Sequence, residues 1–169
     1  EAISSAGALI HYLRETQKSA MENITALTPF PIKDYMAVDQ CTLASLELVQ
    51  SSEGSRKNSL LDLLDLSHTP MGARRIREWI LKPLIDAEKI RERLNIVADF
   101  KDNPTERKHL RDLLKHIFDL ERLLGRITLS ACNARDLIAL KTSLEVFPDL
   151  SEALKSYDSR PLQTYLENW

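Results

Sequence analysis

Apolar residues recur at three- and four-residue steps through most of the 169-residue chain, so the pattern predicts one helix after another. Ile3, Ala6, Ile10 and Leu13 set the first, over residues 2–21. The period then shortens to two. Ile24, Ala26, Thr28 and Phe30 alternate with polar or small neighbours, and residues 35–38 and 45–49 read the same way. Pro29 and Pro31 suit the edge of such a sheet, because proline cannot donate to the ladder. The expectation is a small β-hairpin or short sheet of two or three strands at about residues 24–49, with a turn or single helical turn at 39–42. Residues 51–59 are the most polar stretch and predict an exposed loop. Residues 59–66 are a dense Leu run that predicts a short buried helix.

Residues 69–84 carry the most local information. Pro70 sits where a helix can begin, since its missing N–H would be unpaired there anyway, and Thr69 can accept from the first free N–H groups. Gly72, Ile76, Trp79, Ile80 and Pro83 fall along one side of the resulting helix. Gly72 leaves room there for another backbone, Trp79 is a large anchor and Pro83 stops the helix near Leu81. Gly72, Trp79 and Pro83 are therefore the candidate packing hub. Arg74, Arg75, Arg77 and Glu78 occupy the rest, and Arg74 and Arg77 are the candidate contacts to neighbouring domains.

Further helices follow. Asp86 caps one that runs to about Lys101, and Asn103 to Glu106 has the form of a capping box opening the next. Leu110, Leu113, Leu114 and Ile117 line one side of it. Leu120, Leu123, Leu124 and Ile127 make another stripe, with Asp119 and Arg122 three residues apart on its polar side. Ser130 or Asn133 caps a helix that Pro148 ends, a further helix spans about 150–157, and residues 161–169 enter a new one. The fold expected is mainly α, a multi-helix core with its small sheet in the N-terminal third.

Composition changes this picture little. A charged fraction of 28%, only 4 Gly, and abundant Leu, Ala, Arg, Glu and Lys agree with helices. The net charge of −2 gives no global attraction to nucleic acid or anionic lipid, so any such contact needs a local patch. Cys41 and Cys132 lie far apart in apolar contexts and read as reduced, buried thiols. No apolar run approaches the roughly 20 residues of a membrane span. The first helical pattern starts at once and the last is unfinished, which suggests a piece of a longer protein.

The candidate chemistry is sparse. There is no glycine-rich phosphate loop, His-Glu-x-x-His, Cys-x-x-Cys or nucleophile elbow. Asp62 and Asp65 have no third ligand nearby, and His109 and His116 stand two helical turns apart, too far to share a metal. No catalytic, cofactor or metal residue is expected. Two non-enzymatic readings remain: a structural coupling element, or a self-contained helical DNA-binding module using Arg74, Arg75 and Arg77 on the 70–81 helix.

Residues 69–84 resemble the DNA mismatch repair ATPase family MutS, and the likeness extends along nearly the whole chain. Tyr12-Leu-Arg-Glu-Thr-Gln17 is similar to the first helix of the family's core domain. Met36-Ala-Val-Asp39, with Thr42 and Leu46-Glu-Leu48, resembles its hairpin signature. Residues 59–65, 119–124 and 134–141 match further segments in order. The resemblance implies a core domain over residues 1–150 and the start of a truncated lever over 151–169. It implies that the full-length protein binds mismatched double-stranded DNA with a second MutS subunit, uses ATP and Mg, and recruits MutL in the bacterial cytosol, associated with the nucleoid. The segment itself would be monomeric, without cofactor and away from membranes. The family's mismatch-reading Phe-x-Glu motif is not found: Phe30, Phe100, Phe118 and Phe147 lack Glu two residues on. No catalytic or base-reading residue of the family maps onto this chain. A MutS paralogue acting outside mismatch repair would share the same core.

Overall fold

The computed structural model describes residues 2–16, 34–157 and 159–167, apart from the side chains of Ala2 and Tyr165. The chain divides into two compact units, Glu1–Pro31 and Ile32–Trp169. In the first, α1 (Ala2–Thr16) is an amphipathic helix with Ile3, Leu9 and Tyr12 exposed. The expected continuation to residue 21 and the alternating stretch 24–30 lie outside the described residues.

The second unit is a succession of short helices: α2 (Gln40–Ser45), α3 (Leu60–Leu64), α4 (Pro70–Leu81), α5 (Ala87–Asp102), α6 (Pro104–Leu114), α7 (Leu120–Thr128), α8 (Ala134–Glu145), α9 (Phe147–Lys155) and α10 (Arg160–Glu167). Caps set most of the starts. Asp39, Ser59, Thr69, Asp86, Asp119 and Asn133 each accept a hydrogen bond from a backbone N–H of the first turn.

The core lies where α5, α6, α9 and α10 meet. Leu110, Ile117, Leu150 and Tyr157 are buried together, and Phe100, Leu114 and Leu154 pack against them. Tyr157 is only 1% exposed, with its ring edge-on to Phe100 at 4.7 Å between centroids. Ser143 on α8 is fully buried. Its hydroxyl accepts from the Phe118 N–H at 3.0 Å and donates to the Ala139 carbonyl at 2.8 Å, so α8 holds the chain entering α7. Asp99 on α5 accepts from the Ser159 N–H at 2.8 Å, which fixes the approach to α10.

The mainly α expectation holds, but the small sheet does not form among the described residues. Tyr35 makes one isolated antiparallel bridge to Leu84, flanked by Met36 N–H to the Pro83 carbonyl and Ile85 N–H to the Asp34 carbonyl. The ladder stops there for a local reason. Asp86 begins α5 on one side and Asp39 begins α2 on the other, so neither segment stays extended. The alternation at 45–49 is the end of α2 followed by a turn. Glu47 takes a positive φ of 49°, and its carbonyl accepts from the Leu60 N–H.

Smaller differences have equally local causes. Asn103 makes no capping bond to α6; its amide donates back to Asp99 on α5 instead. The reciprocal capping box forms at Asn133 and Asp136, with bonds of 3.0 and 2.8 Å. Pro148 does not end a helix. It occupies the first turn of α9, where its missing N–H costs nothing. Among the leucines of the 59–66 run only Leu61 is buried, while Leu60, Leu63, Leu64 and Leu66 face outward. Cys41 is exposed and Cys132 half-buried, rather than both buried.

Candidate functional site

Helix α4 is positioned at both ends by its own sequence. The Thr69 hydroxyl accepts from the Gly72 N–H at 3.1 Å, and Pro70 fills the first turn. At the other end the Lys82 N–H closes on the Glu78 carbonyl, and Pro83 diverts the chain. Gly72 meets its own cap rather than another helix. A Cβ there would lie 3.0 Å from the Thr69 hydroxyl and 3.4 Å from Ser67. Trp79 is 42% exposed, with the Arg93 guanidinium of α5 4.1 Å above its ring, a cation–π contact. The Pro83 carbonyl accepts from Met36 at 2.8 Å. The three candidate hub residues thus serve three separate contacts: the cap, α5 and the segment before α2.

The arginines of α4 divide sharply. Arg74 reaches α7, 45 residues away in sequence. Its two terminal nitrogens grip both oxygens of Asp119 at 2.8 and 2.7 Å, and Nε and Nη2 both reach Glu121, at 3.0 and 2.6 Å. This two-pronged, charge-assisted geometry is what a planar guanidinium provides and a lysine cannot. Asp119 also caps α7 by accepting from the Arg122 N–H at 3.2 Å. One carboxylate therefore ends the Arg74 bridge and starts a helix. The Arg74 hydrogen bond, then the Arg122 N–H, hold its carboxyl below the usual carboxylate range against the opposing effect of burial. The Asp119 hydrogen bond, then that from Glu121, hold the Arg74 guanidinium still more firmly protonated than usual.

Arg75 pairs within α4 with Glu78 at 2.9 Å. Arg77 is exposed on the rim of a recess that also takes in Gln40, Leu43, Arg56 and Leu81. Arg56, from the polar loop, is committed to Asp65 at 2.5 Å. The basic face seen in the sequence is thus largely internal wiring. The sequence offers Glu78 as a partner for Arg74 or Arg75 and Arg122 as a partner for Asp119; the structure gives Glu78 to Arg75 and joins Arg74 to Asp119 and Glu121. The acid at the start of an amphipathic helix signals a cap, but nothing in the spacing names Arg74 as its second partner. Among the described residues, no group of three or more His, Cys, Asp or Glu could hold a metal ion.

What the arrangement can do is mechanical. A capped α4 is bolted by an ionic fork to the first turn of α7, and α7 packs on α8. This defines a segment of short helices tied together by caps and one ionic fork. The family model for MutS domain III matches residues 41–167, and the chain belongs to that family. The chain is 38% identical over 169 residues to the DNA mismatch repair protein MutS of Clostridium kluyveri, covering 99% of this chain and 19% of that protein. It is 41% identical over 160 residues to MutS of Halothermothrix orenii, covering 94% and 18%. Against MutS of Pelotomaculum thermopropionicum the figures are 43% over 154 residues, 90% and 18%. The chain spans about a fifth of the length of these curated relatives.

Proposed function

We propose that this chain is the core segment of a DNA mismatch repair protein, a stiff structural element through which DNA grip and ATP use in the rest of the protein are coupled. The observation that carries the reading is the Arg74 fork to Asp119 and Glu121, in a chain of the MutS domain III family. Packed helices tied by such links shift between discrete arrangements rather than deform continuously. A coupling that lets ATP alter DNA affinity must also let DNA alter ATP affinity.

The outward faces support a role inside a larger assembly. Leu124, Leu137, Ile138 and Leu144 on α7 and α8 are each about half exposed or more, a surface that suits contacts with further domains. No helix among the described residues is long and apolar enough to cross a membrane. In this reading residues 1–150 act as the core and 151–169 open the lever. The complete protein binds mismatched duplex DNA as a dimer, uses ATP with Mg, and hands over to MutL in the bacterial cytosol, at the nucleoid. The chain itself performs no chemistry. The DNA-binding-module reading loses ground because Arg74 and Arg75 are already engaged with carboxylates of this chain.

The test is a replacement. The matching segment of the Clostridium kluyveri MutS protein is exchanged for this chain, and the chimera is assayed for suppression of mutation in a strain lacking MutS. Restored suppression is expected. A soluble, folded chimera that binds mismatched duplex yet leaves the mutation rate unchanged would contradict the assignment.

A further inference from the structure

Helix α6 carries a second charged face that the fork does not use. Its inner side, Leu110, Leu113 and Leu114, packs on the core. Its outer side brings Arg107, Lys108, Arg111 and Lys115 onto one stripe, at steps of one, three and four residues. These line a groove with Leu66, His68 and Pro104, in which Asp112 is the one carboxylate among the described residues.

The stripe is partly tied down and partly free to act. Arg107 donates to the Phe100 and Lys101 carbonyls and so closes the C-terminal end of α5. Lys115 pairs with Asp112 at 2.6 Å. Arg111 reaches only the Leu66 carbonyl, at 3.5 Å, and Lys108 and Arg111 have no carboxylate within ion-pairing distance among the described residues. At the groove His68 Nε2 is buried with no hydrogen-bond partner among the described residues. Lys108 to Lys115 is seven residues, about 10 Å along the helix. Lys108 and Arg111, about one helical turn apart, can each meet one phosphate of a strand.

We propose that the α6 stripe, centred on Lys108 and Arg111, is a contact for the phosphate backbone of duplex DNA, independent of sequence and of mispairing. It rests on the reading above only for the choice of DNA as the polyanion. Backbone contacts position a protein without reading bases, so this surface adds hold and no discrimination.

The experiment is fluorescence anisotropy of the 169-residue chain on a labelled duplex, matched or carrying one mismatch, across a salt series. Neutralising about two phosphates gives a slope of log affinity on log salt near −1.8, roughly a 12-fold loss between 50 and 200 mM. Both duplexes are expected to bind alike. Lys108→Glu with Arg111→Glu is expected to weaken binding at least tenfold, while Lys141→Glu on α8 leaves it within twofold. Should the double variant fail to fold by circular dichroism, Lys108→Ala is read instead, with the slope expected to fall by about 1. Absent duplex binding, or binding whose affinity and slope the α6 substitutions leave unchanged, overturns the proposal. So does binding of poly-L-glutamate, sensitive to the same substitutions, when the duplex does not bind; the partner would then be an acidic protein segment. A mismatch preference lost with the α6 substitutions also overturns it. None of these results bears on whether the chimera suppresses mutation, so the two claims fail separately.

Discussion

Asp119 does two jobs with one carboxylate, and both depend on its being ionised. Its pKa is lowered by Arg74 first and the Arg122 N–H next. A group whose folded pKa lies below its unfolded value adds stability that is fully present above the unfolded pKa, about 3.9 for Asp. That stability is lost as pH falls through the folded pKa. Stability of the chain is therefore expected to drop below about pH 4, and Asp119→Asn is expected to flatten that acid limb in urea titrations at several pH values. Asn can still cap, so the cap itself is tested by Asp119→Ala, which should cost about 1 kcal/mol more at neutral pH. Gly72 gives a second expectation at this scale. Gly→Ala inside a helix normally adds about 0.5–1 kcal/mol. Here the new Cβ would press on the Thr69 hydroxyl at 3.0 Å, and that hydroxyl is held by the Gly72 N–H. Gly72→Ala is thus expected to show no gain in urea midpoint. The hydrophobic pattern marked position 72 as special, but it named a neighbouring backbone where the crowding comes from the helix's own cap. Arg74, likewise, was visible as a candidate contact, while its partners 45 and 47 residues on were not.

Between elements, two buried polar residues invite opposite expectations. Ser143 satisfies the Phe118 N–H across 25 residues of sequence, so Ser143→Ala leaves a backbone donor unpaired and is expected to cost about 1–3 kcal/mol by chemical denaturation. Tyr157 has a buried hydroxyl without a partner among the described residues. Tyr157→Phe is therefore expected to be neutral or slightly stabilising, while Tyr157→Ala, which empties the core beside Phe100, is expected to cost about 3–5 kcal/mol. Helix positions were largely legible because caps and a 3.6-residue period are local signals. Asp86 and Asn133 sit where their helices begin. The sheet was misread because alternation over four or five residues also arises from a helix end followed by a turn, as at Ser45 to Val49. Pro148 was read as a stop because proline ends one helix as readily as it opens the next. Ser143 had no signal at all: a serine in the middle of an amphipathic helix normally faces solvent, and only the fold puts it against the chain entering α7.

For the whole molecule, the family was legible from ordered motifs, whereas the wiring of those motifs was not. The stretch 69–84 and the stretch 119–124 each resemble the family, and the fold joins them through one guanidinium. That junction is the central claim: the α4–α7 fork lets this segment move as one body. The most direct measurement is the rate of ATP-dependent release from a mismatched duplex by the chimeric MutS protein carrying this chain, with Arg74→Met as the variant. Mismatch affinity without ATP and the circular-dichroism spectrum serve as controls. With both controls unchanged, the account predicts release slowed several-fold. Unchanged release from the folded Arg74→Met protein would contradict it.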